Sequence, residues 1–68
     1  MTEMTVDDAR KYIIVKEWEV RNTIKALFGA TSLYINSYGD VWLVSPQNRW
    51  LTNEQLIQAA KKLGAGND

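Results

Sequence analysis

The sequence predicts a small α+β domain in which a long N-terminal helix is followed by a two-stranded antiparallel hairpin and a C-terminal helix. Three observations predict this order. Apolar residues recur at helical spacing over residues 5–28, alternating residues flank Gly39, and a helix-capping motif precedes the apolar residues of 52–63. The chain has 68 residues, so we expect a single domain over residues 1–68. We expect order over 5–64 and short flexible termini.

The first helix is predicted over residues 5–28. The hydroxyl of Thr5 can accept a hydrogen bond from the backbone N–H of Asp8 at the start, and Gly29 suits the left-handed residue that ends a helix. Seven apolar residues share one face: Val6, Ala9, Ile13, Val20, Ile24, Leu27 and Phe28. Two alternatives stay open. The β-branched run 13–15 also fits a strand over 12–20, and a break near Lys16 would split the helix in two.

The middle of the chain is predicted to be a hairpin with the three-residue loop Ser37–Gly39, in which Gly39 takes the positive φ. This loop pairs three sets of residues across the strands: Leu33 with Leu43, Tyr34 with Trp42, and Ile35 with Val41. One face of the hairpin is then aliphatic and the other carries the aromatic pair. A shift of one residue would mix the two faces, so the pattern fixes the register.

The last helix is predicted over residues 52–63. Thr52 and Gln55 fit a capping box, in which each side chain bonds the other residue's backbone N–H, and Leu51 and Leu56 can form the accompanying hydrophobic staple. The predicted buried residues of this helix are Leu56, Ile57, Ala60 and Leu63. Gly64 is expected to end it, with residues 65–68 as a loose tail.

Composition argues against conventional catalysis. The chain has no histidine and no cysteine, so it lacks the commonest general base, the commonest soft nucleophile, a disulfide and a structural zinc site. Its four glycines are isolated and form no phosphate-binding loop. We expect no enzyme activity, no cofactor and no metal.

The charge and hydropathy pattern favours a soluble chain with a protein partner. Eight basic and eight acidic residues cancel, which argues against strong general attraction to nucleic acid or an anionic membrane. The apolar run Tyr12–Val15 is far shorter than the ~20 residues of a membrane span. Residues 1–4 have neither the basic nor the apolar region of a signal peptide. We therefore expect a cytoplasmic protein that does not bind a membrane.

Two groups of apolar residues exceed what one core requires. Ile14, Val15 and Trp18 fall opposite the core face of the first helix, which predicts a dimer or partner interface anchored by Trp18. The alternative is that the second helix or the hairpin covers them. On the hairpin, Tyr34 and Trp42 form a platform with Tyr38 at its tip, which could bind a partner or stack bases. Otherwise they are a cross-strand pair that stabilises the ribbon.

Two further features suit contact with another chain. The open edges of a two-stranded sheet invite pairing with a second copy, which would give a four-stranded dimer sheet. Arg49 beside Trp50 is a composition that interfaces enrich. The simpler expectation for this pair is that Trp50 closes the core beside Leu51 while Arg49 is solvated.

The leading hypothesis is a non-enzymatic protein-binding module that regulates, inhibits or assembles a larger partner. Small chains of this style are common among phage and mobile-element accessory proteins. A core of this size supplies little stability and no covalent or metal link supports it, so we also expect a homodimer. A structural subunit of a virion or larger complex fits the same features.

The alternative hypothesis is a nucleic-acid binder. If the first helix breaks near Lys16, the order becomes helix, helix, hairpin, which resembles a winged-helix layout in outline. Phosphate contacts would come from Arg10, Lys11, Lys16, Arg21 and Lys25. Asn22 would then read a base and Tyr38 would lie at the wing tip.

Overall fold

A computed structural model describes residues 4–64 and contains helices and a three-stranded antiparallel sheet in the order α-α-β-β-β-α. The elements are α1 (Val6–Val15), α2 (Glu17–Phe28), β1 (Ser32–Ile35), β2 (Val41–Ser45), β3 (Arg49–Trp50) and α3 (Asn53–Lys62). The predicted α+β class is confirmed. The expected flexible tail at 65–68 lies outside the described residues.

The predicted helix over 5–28 is two helices, because Lys16 leaves the helical conformation with φ −106° and ψ 34°. The break follows three consecutive β-branched residues, 13–15, which weaken a helix by losing side-chain freedom in it. Helical hydrogen bonds continue on both sides: Lys16 N–H donates to Tyr12 O, and Val20 N–H donates to Lys16 O. The alternative with a break near Lys16 is therefore confirmed, and the strand over 12–20 is wrong.

Both predicted ends of this helical region are confirmed. Thr5 Oγ1 accepts a hydrogen bond from Asp8 N at 3.2 Å, which caps α1. Gly29, with φ 69°, is the left-handed residue that ends α2. The predicted core face is confirmed as well: Ala9, Ile13, Val20 and Ile24 are fully buried, and Val6, Leu27 and Phe28 pack against them.

The hairpin has the predicted register. Leu33 pairs with Leu43, Tyr34 with Trp42, and Ile35 with Val41. Gly39 takes a φ of 91° in the turn. The aliphatic face of the two strands packs on the helices, where Leu33, Val41 and Leu43 are buried together with the core residues of α1, α2 and α3.

A third strand, β3, was not predicted. It pairs with β2 through Trp50 opposite Trp42 and Arg49 opposite Leu43, and Leu51 N–H extends the pairing by donating to Val41 O at 2.9 Å. Two residues are too few to show the alternation by which a strand is recognised in a sequence. Because β3 covers one edge of the hairpin, the expected two-stranded sheet with two open edges is wrong, and so is the strand count of the four-stranded dimer sheet. Association through the remaining edge, β1, stays a prediction.

The turn between β2 and β3 is tied to the end of α2. Gln47 Nε2 donates to the carbonyl oxygen of Phe28 at 2.6 Å, which satisfies one of the carbonyls that a helix leaves unpaired at its C-terminus. The turn contains a cis peptide at Ser45–Pro46 and a left-handed Asn48. Asparagine tolerates that backbone conformation better than most residues.

The start of α3 shows the predicted capping box. Gln55 N donates to Thr52 Oγ1 at 3.2 Å, and Thr52 N donates to Gln55 Oε1 at 3.1 Å. Leu51 and Leu56 are both buried, as the predicted staple requires. Leu56, Ala59 and Ala60 are the buried face of α3, with Ile57 and Leu63 packed beside them.

We expect the substitution Thr52→Ala to lower the free energy of unfolding by about 1 kcal/mol, because it removes the hydroxyl that accepts the N–H of Gln55. Thr52→Ser keeps that acceptor and is the matched control. Urea titrations of the three proteins measure the effect. A serine variant that loses as much stability as the alanine variant would contradict a capping role for this hydroxyl.

Candidate functional site

An aromatic row crosses the outer face of the sheet, on the side away from the helices. Tyr34 of β1, Trp42 of β2 and Trp50 of β3 are neighbours in the strand register. Tyr34 is 56% exposed and Trp50 is 48% exposed. The row exists because residues directly opposite each other in an antiparallel sheet project from the same face. We call these three residues the aromatic row.

Trp50 lies in this row and not in the core, so the expectation that it closes the core is wrong. Its ring contacts Trp42 edge to face, with centroids 5.1 Å apart and planes at 74°. Pairing with Trp42 directs Trp50 outward, and the next residue, Leu51, is buried instead. Edge-to-face pairs of this kind add about 0.5–1.5 kcal/mol beyond the area they bury. The row is therefore ordered as well as accessible.

Arg49 does not join the aromatic row. Its Nη1 donates to Gln55 Oε1 at 2.9 Å and to Trp50 O at 3.2 Å, so the guanidinium connects β3 to the start of α3. The expectation that Arg49 is solvated is wrong, since the side chain is half-buried and hydrogen-bonded. These contacts direct it toward the helices, away from the surface where a partner would meet the row.

The outer face of the sheet is uncharged along its strands. Within the described part of the chain, the three strands contain one charged residue, Arg49, and its contacts lie on the helix side. Val44, half-exposed, extends the apolar surface beside the row. Aromatic residues without charges are the composition found at the centres of protein interfaces.

The tip of the hairpin holds Tyr38 on an ordered turn. Asn36 Oδ1 accepts from the backbone N–H groups of Tyr38 at 2.9 Å and Asp40 at 3.0 Å. The turn is also fixed to α1, because Arg10 Nε donates to Asp40 Oδ1 at 2.8 Å. Tyr38 itself is exposed. The predicted platform therefore has a rigid end as well as a rigid face.

A second apolar surface lies where α1 meets α2. Val15 is 76% exposed and Trp18 is 80% exposed, with Ile14 half-exposed beside them. The alternative in which the second helix or the hairpin covers these residues is wrong. The guanidinium of Arg21 lies 5.9 Å from the centroid of the Trp18 ring, within the range of a cation–π contact. We call Ile14, Val15 and Trp18 the junction patch.

The cations of the alternative hypothesis are mostly paired. Arg10 contacts Asp7 and Asp40, Lys16 contacts Glu19, and Arg21 contacts Glu17. Arg21 Nη1 also donates to Leu33 O at 3.2 Å, which covers a carbonyl of the edge strand β1. Lys11 and Asn22 are exposed, and Lys25 is half-buried. The helix–helix–sheet order that this hypothesis needs is present, but three of its five cations already face carboxylates.

A shallow groove runs between α2 and α3. Its volume is about 520 Å³, and it is lined by Asn22, Thr23, Ala26, Leu27 and Lys62. Three of these residues, Asn22, Ala26 and Lys62, are exposed, so the groove belongs to the open surface. It does not adjoin the aromatic row.

Residues 4–64 contain no group of three or more His, Cys, Asp or Glu that could hold a metal ion. None of their helices is long and apolar enough to cross a membrane. Comparisons of the chain with family models, curated proteins and solved structures find no significant match.

Proposed function

We propose that this chain is a non-enzymatic protein-binding module whose aromatic row docks on an apolar surface of a larger partner, which it regulates, inhibits or assembles. The observation that carries the proposal is the ordered row across three strands, in which Tyr34 and Trp50 are exposed and Trp42 between them is half-buried. A sheet of a small domain normally packs one face on its core and presents polar side chains on the other. Here the second face is apolar.

The chemistry of the face favours a protein over a nucleic acid. Base stacking on aromatic side chains is accompanied by cations that follow the phosphate backbone. The one cation of the strands, Arg49, is bonded to Gln55 on the other side of the sheet. Tryptophan and tyrosine in a water-excluding surface are, by contrast, the residues that contribute most to protein–protein affinity.

The rigidity of the face supports the same proposal. The Trp42–Trp50 contact and the anchored hairpin hold the aromatic side chains in place before a partner arrives. Binding then immobilises few side chains, and each immobilised side chain costs about 0.5–1.5 kcal/mol. A preorganised aromatic face binds more tightly than a flexible one of equal area.

The test is a comparison of affinity baits. The wild-type chain is used to capture proteins from its native host, and the captured partner is purified. We expect Trp50→Ala to weaken its binding at least about 30-fold, which corresponds to the loss of an interface residue worth roughly 2 kcal/mol. Trp18→Ala is the matched control, since it removes an exposed tryptophan from another surface. The affinities are measured at chain concentrations low enough for monomers. Far-UV circular dichroism checks that both variants are folded.

Two outcomes would count against the proposal. One is a partner that binds Trp50→Ala as tightly as the wild type. The other is recovery of nucleic acid on the wild-type beads, lost on treatment with nuclease and reduced in a Lys11→Ala, Lys25→Ala double variant. That pattern would favour the nucleic-acid alternative, and its affinity would fall steeply with salt.

A further inference from the structure

The exposed side of α1 and α2 forms one continuous stripe despite the break at Lys16. The buried residues Ala9, Ile13, Val20 and Ile24 keep helical spacing across the break. The two helices therefore turn their core residues to a common side. The residues opposite the core therefore also share one side.

This outer stripe is symmetric about the point between Lys16 and Glu17. Its members at helical spacing are Asp8, Lys11, Val15, Trp18, Asn22 and Lys25. Val15 and Trp18 are equally far from that point, as are Lys11 and Asn22, and Asp8 and Lys25. Two copies packed antiparallel about a two-fold axis there would set each residue against its counterpart on the other copy, because a two-fold interface presents the same surface from both sides.

In that arrangement, apolar residues of one copy face apolar residues of the other, and an acidic residue faces a basic one. The centre brings the exposed Val15 of one copy against the exposed Trp18 of the other, twice. The ends bring Asp8 against Lys25 of the second copy. Within residues 4–64, Asp8 and Lys25 form no ion pair, whereas Lys16 pairs with Glu19 and Arg21 pairs with Glu17. Lys11 also forms no ion pair among these residues, and in this arrangement it faces the uncharged Asn22 of the second copy. The charge match therefore rests on Asp8 and the half-buried Lys25.

We propose that two copies of this chain associate through the outer stripe as an antiparallel helix pair, with Val15 and Trp18 at the centre and Asp8 opposite Lys25 of the second copy at each end. This interface is separate from the aromatic row, so the dimer presents two such rows to a partner. Antiparallel helices commonly pack with their axes about 8–10 Å apart, close enough for facing side chains to touch.

The first experiment measures self-association. Sedimentation equilibrium at tens of micromolar is expected to show a dimer, and Trp18→Ala is expected to raise the dissociation constant at least about tenfold. Tyr38→Ala, which removes an exposed aromatic ring from the hairpin tip, is the control and leaves the constant unchanged. A monomeric wild type overturns the proposal, and so does a dimer that Trp18→Ala does not weaken.

The second experiment tests the orientation by cross-linking, for which the absence of native cysteine is an advantage. The variants Lys11→Cys and Asn22→Cys are mixed and oxidised. We expect the mixed disulfide, between one copy of each variant, to form in a larger fraction than random pairing gives. The proposed interface sets position 11 of one copy opposite position 22 of the other, and a disulfide needs Cα atoms within about 7 Å. Preferential cross-linking of either variant with itself would mean a different interface and overturn the proposal.

The third experiment tests the charge match. Asp8→Lys is expected to weaken the dimer several-fold, and adding Lys25→Glu to the same chain is expected to restore it. Glu54→Lys is the matched control: it reverses an acidic residue in the first turn of a helix, as Asp8→Lys does, but lies on α3. Failure of the double variant to recover, or an equal effect of Glu54→Lys, would overturn the proposed pairing of Asp8 with Lys25.

Discussion

Replacing Gly39 with alanine is expected to lower the free energy of unfolding by about 3 kcal/mol, a large part of the ~3–5 kcal/mol that a core of this size supplies. Two penalties combine. Gly39 has a φ of 91°, and left-handed backbone costs a residue with a Cβ about 1–2 kcal/mol. An added Cβ would also lie 2.6 Å from the carbonyl oxygen of Arg10 and 2.8 Å from its Cβ. Backbone in the middle of a helix cannot move aside as a flexible side chain can.

Gly29→Ala is the control that separates the two penalties. Gly29 has a φ of 69°, but a Cβ there would meet nothing within 4 Å. Gly29→Ala should therefore lower the free energy of unfolding only by the conformational penalty, about 1 kcal/mol. Urea titrations of both variants measure the difference, which reports the contact between the hairpin tip and α1. Equal losses in the two variants would show that the turn can shift away from Arg10 without cost.

The turn itself could be predicted from the sequence, but its contact with α1 could not. Loop length and the position of Gly39 determine the pairing of the strands, because both act between neighbours in the chain. The ion pair of Arg10 with Asp40 joins residues 30 positions apart. Nothing in the local pattern distinguishes Asp40 from the other carboxylates as its partner, so this link required the packed structure.

Part of the aromatic row could likewise be predicted from the local pairing of the hairpin strands. Tyr34 opposite Trp42 follows from the hairpin register alone. The sequence alone predicts that Trp50 closes the core beside Leu51. The two-residue strand β3 reverses that assignment, and only its pairing with β2 shows which of Trp50 and Leu51 faces inward.

The break at Lys16 illustrates a different limit. Apolar periodicity reports which side of a helix faces the core, and that side stays in phase through the break. A pattern that does not change across a break cannot locate it. The β-branched run before Lys16 indicates a weak point in the helix. From the sequence alone, however, a strand, a broken helix and a continuous helix all remained possible there. Periodicity did correctly separate the core face from the junction patch.

We expect the neighbouring substitutions Ile13→Ala and Ile14→Ala to differ by about 3 kcal/mol in the free energy of unfolding. Ile13 is fully buried and Ile14 is 44% exposed, and truncation of a buried isoleucine costs about 2–5 kcal/mol through lost transfer energy and the cavity left behind. Ile14→Ala should change stability by less than about 0.5 kcal/mol, since alanine's better helix propensity offsets the apolar area lost. The same residue type in the same helix makes each variant the control for the other.

The measurement needs two precautions that follow from the size of the chain and from its proposed self-association. Ile13→Ala can leave too little folded protein for a titration, so Ile13→Val, with an expected loss of about 0.5–1.5 kcal/mol, gives a value within range. Unfolding is followed by urea at a protein concentration low enough for monomers, because a dimer would add concentration-dependent stability that is unrelated to the packing of either isoleucine. If Ile14→Ala then proved as costly as Ile13→Ala, the side of α1 assigned to solvent would in fact be packed. Ile14 would then belong to the core, and the junction patch would be reduced to Val15 and Trp18.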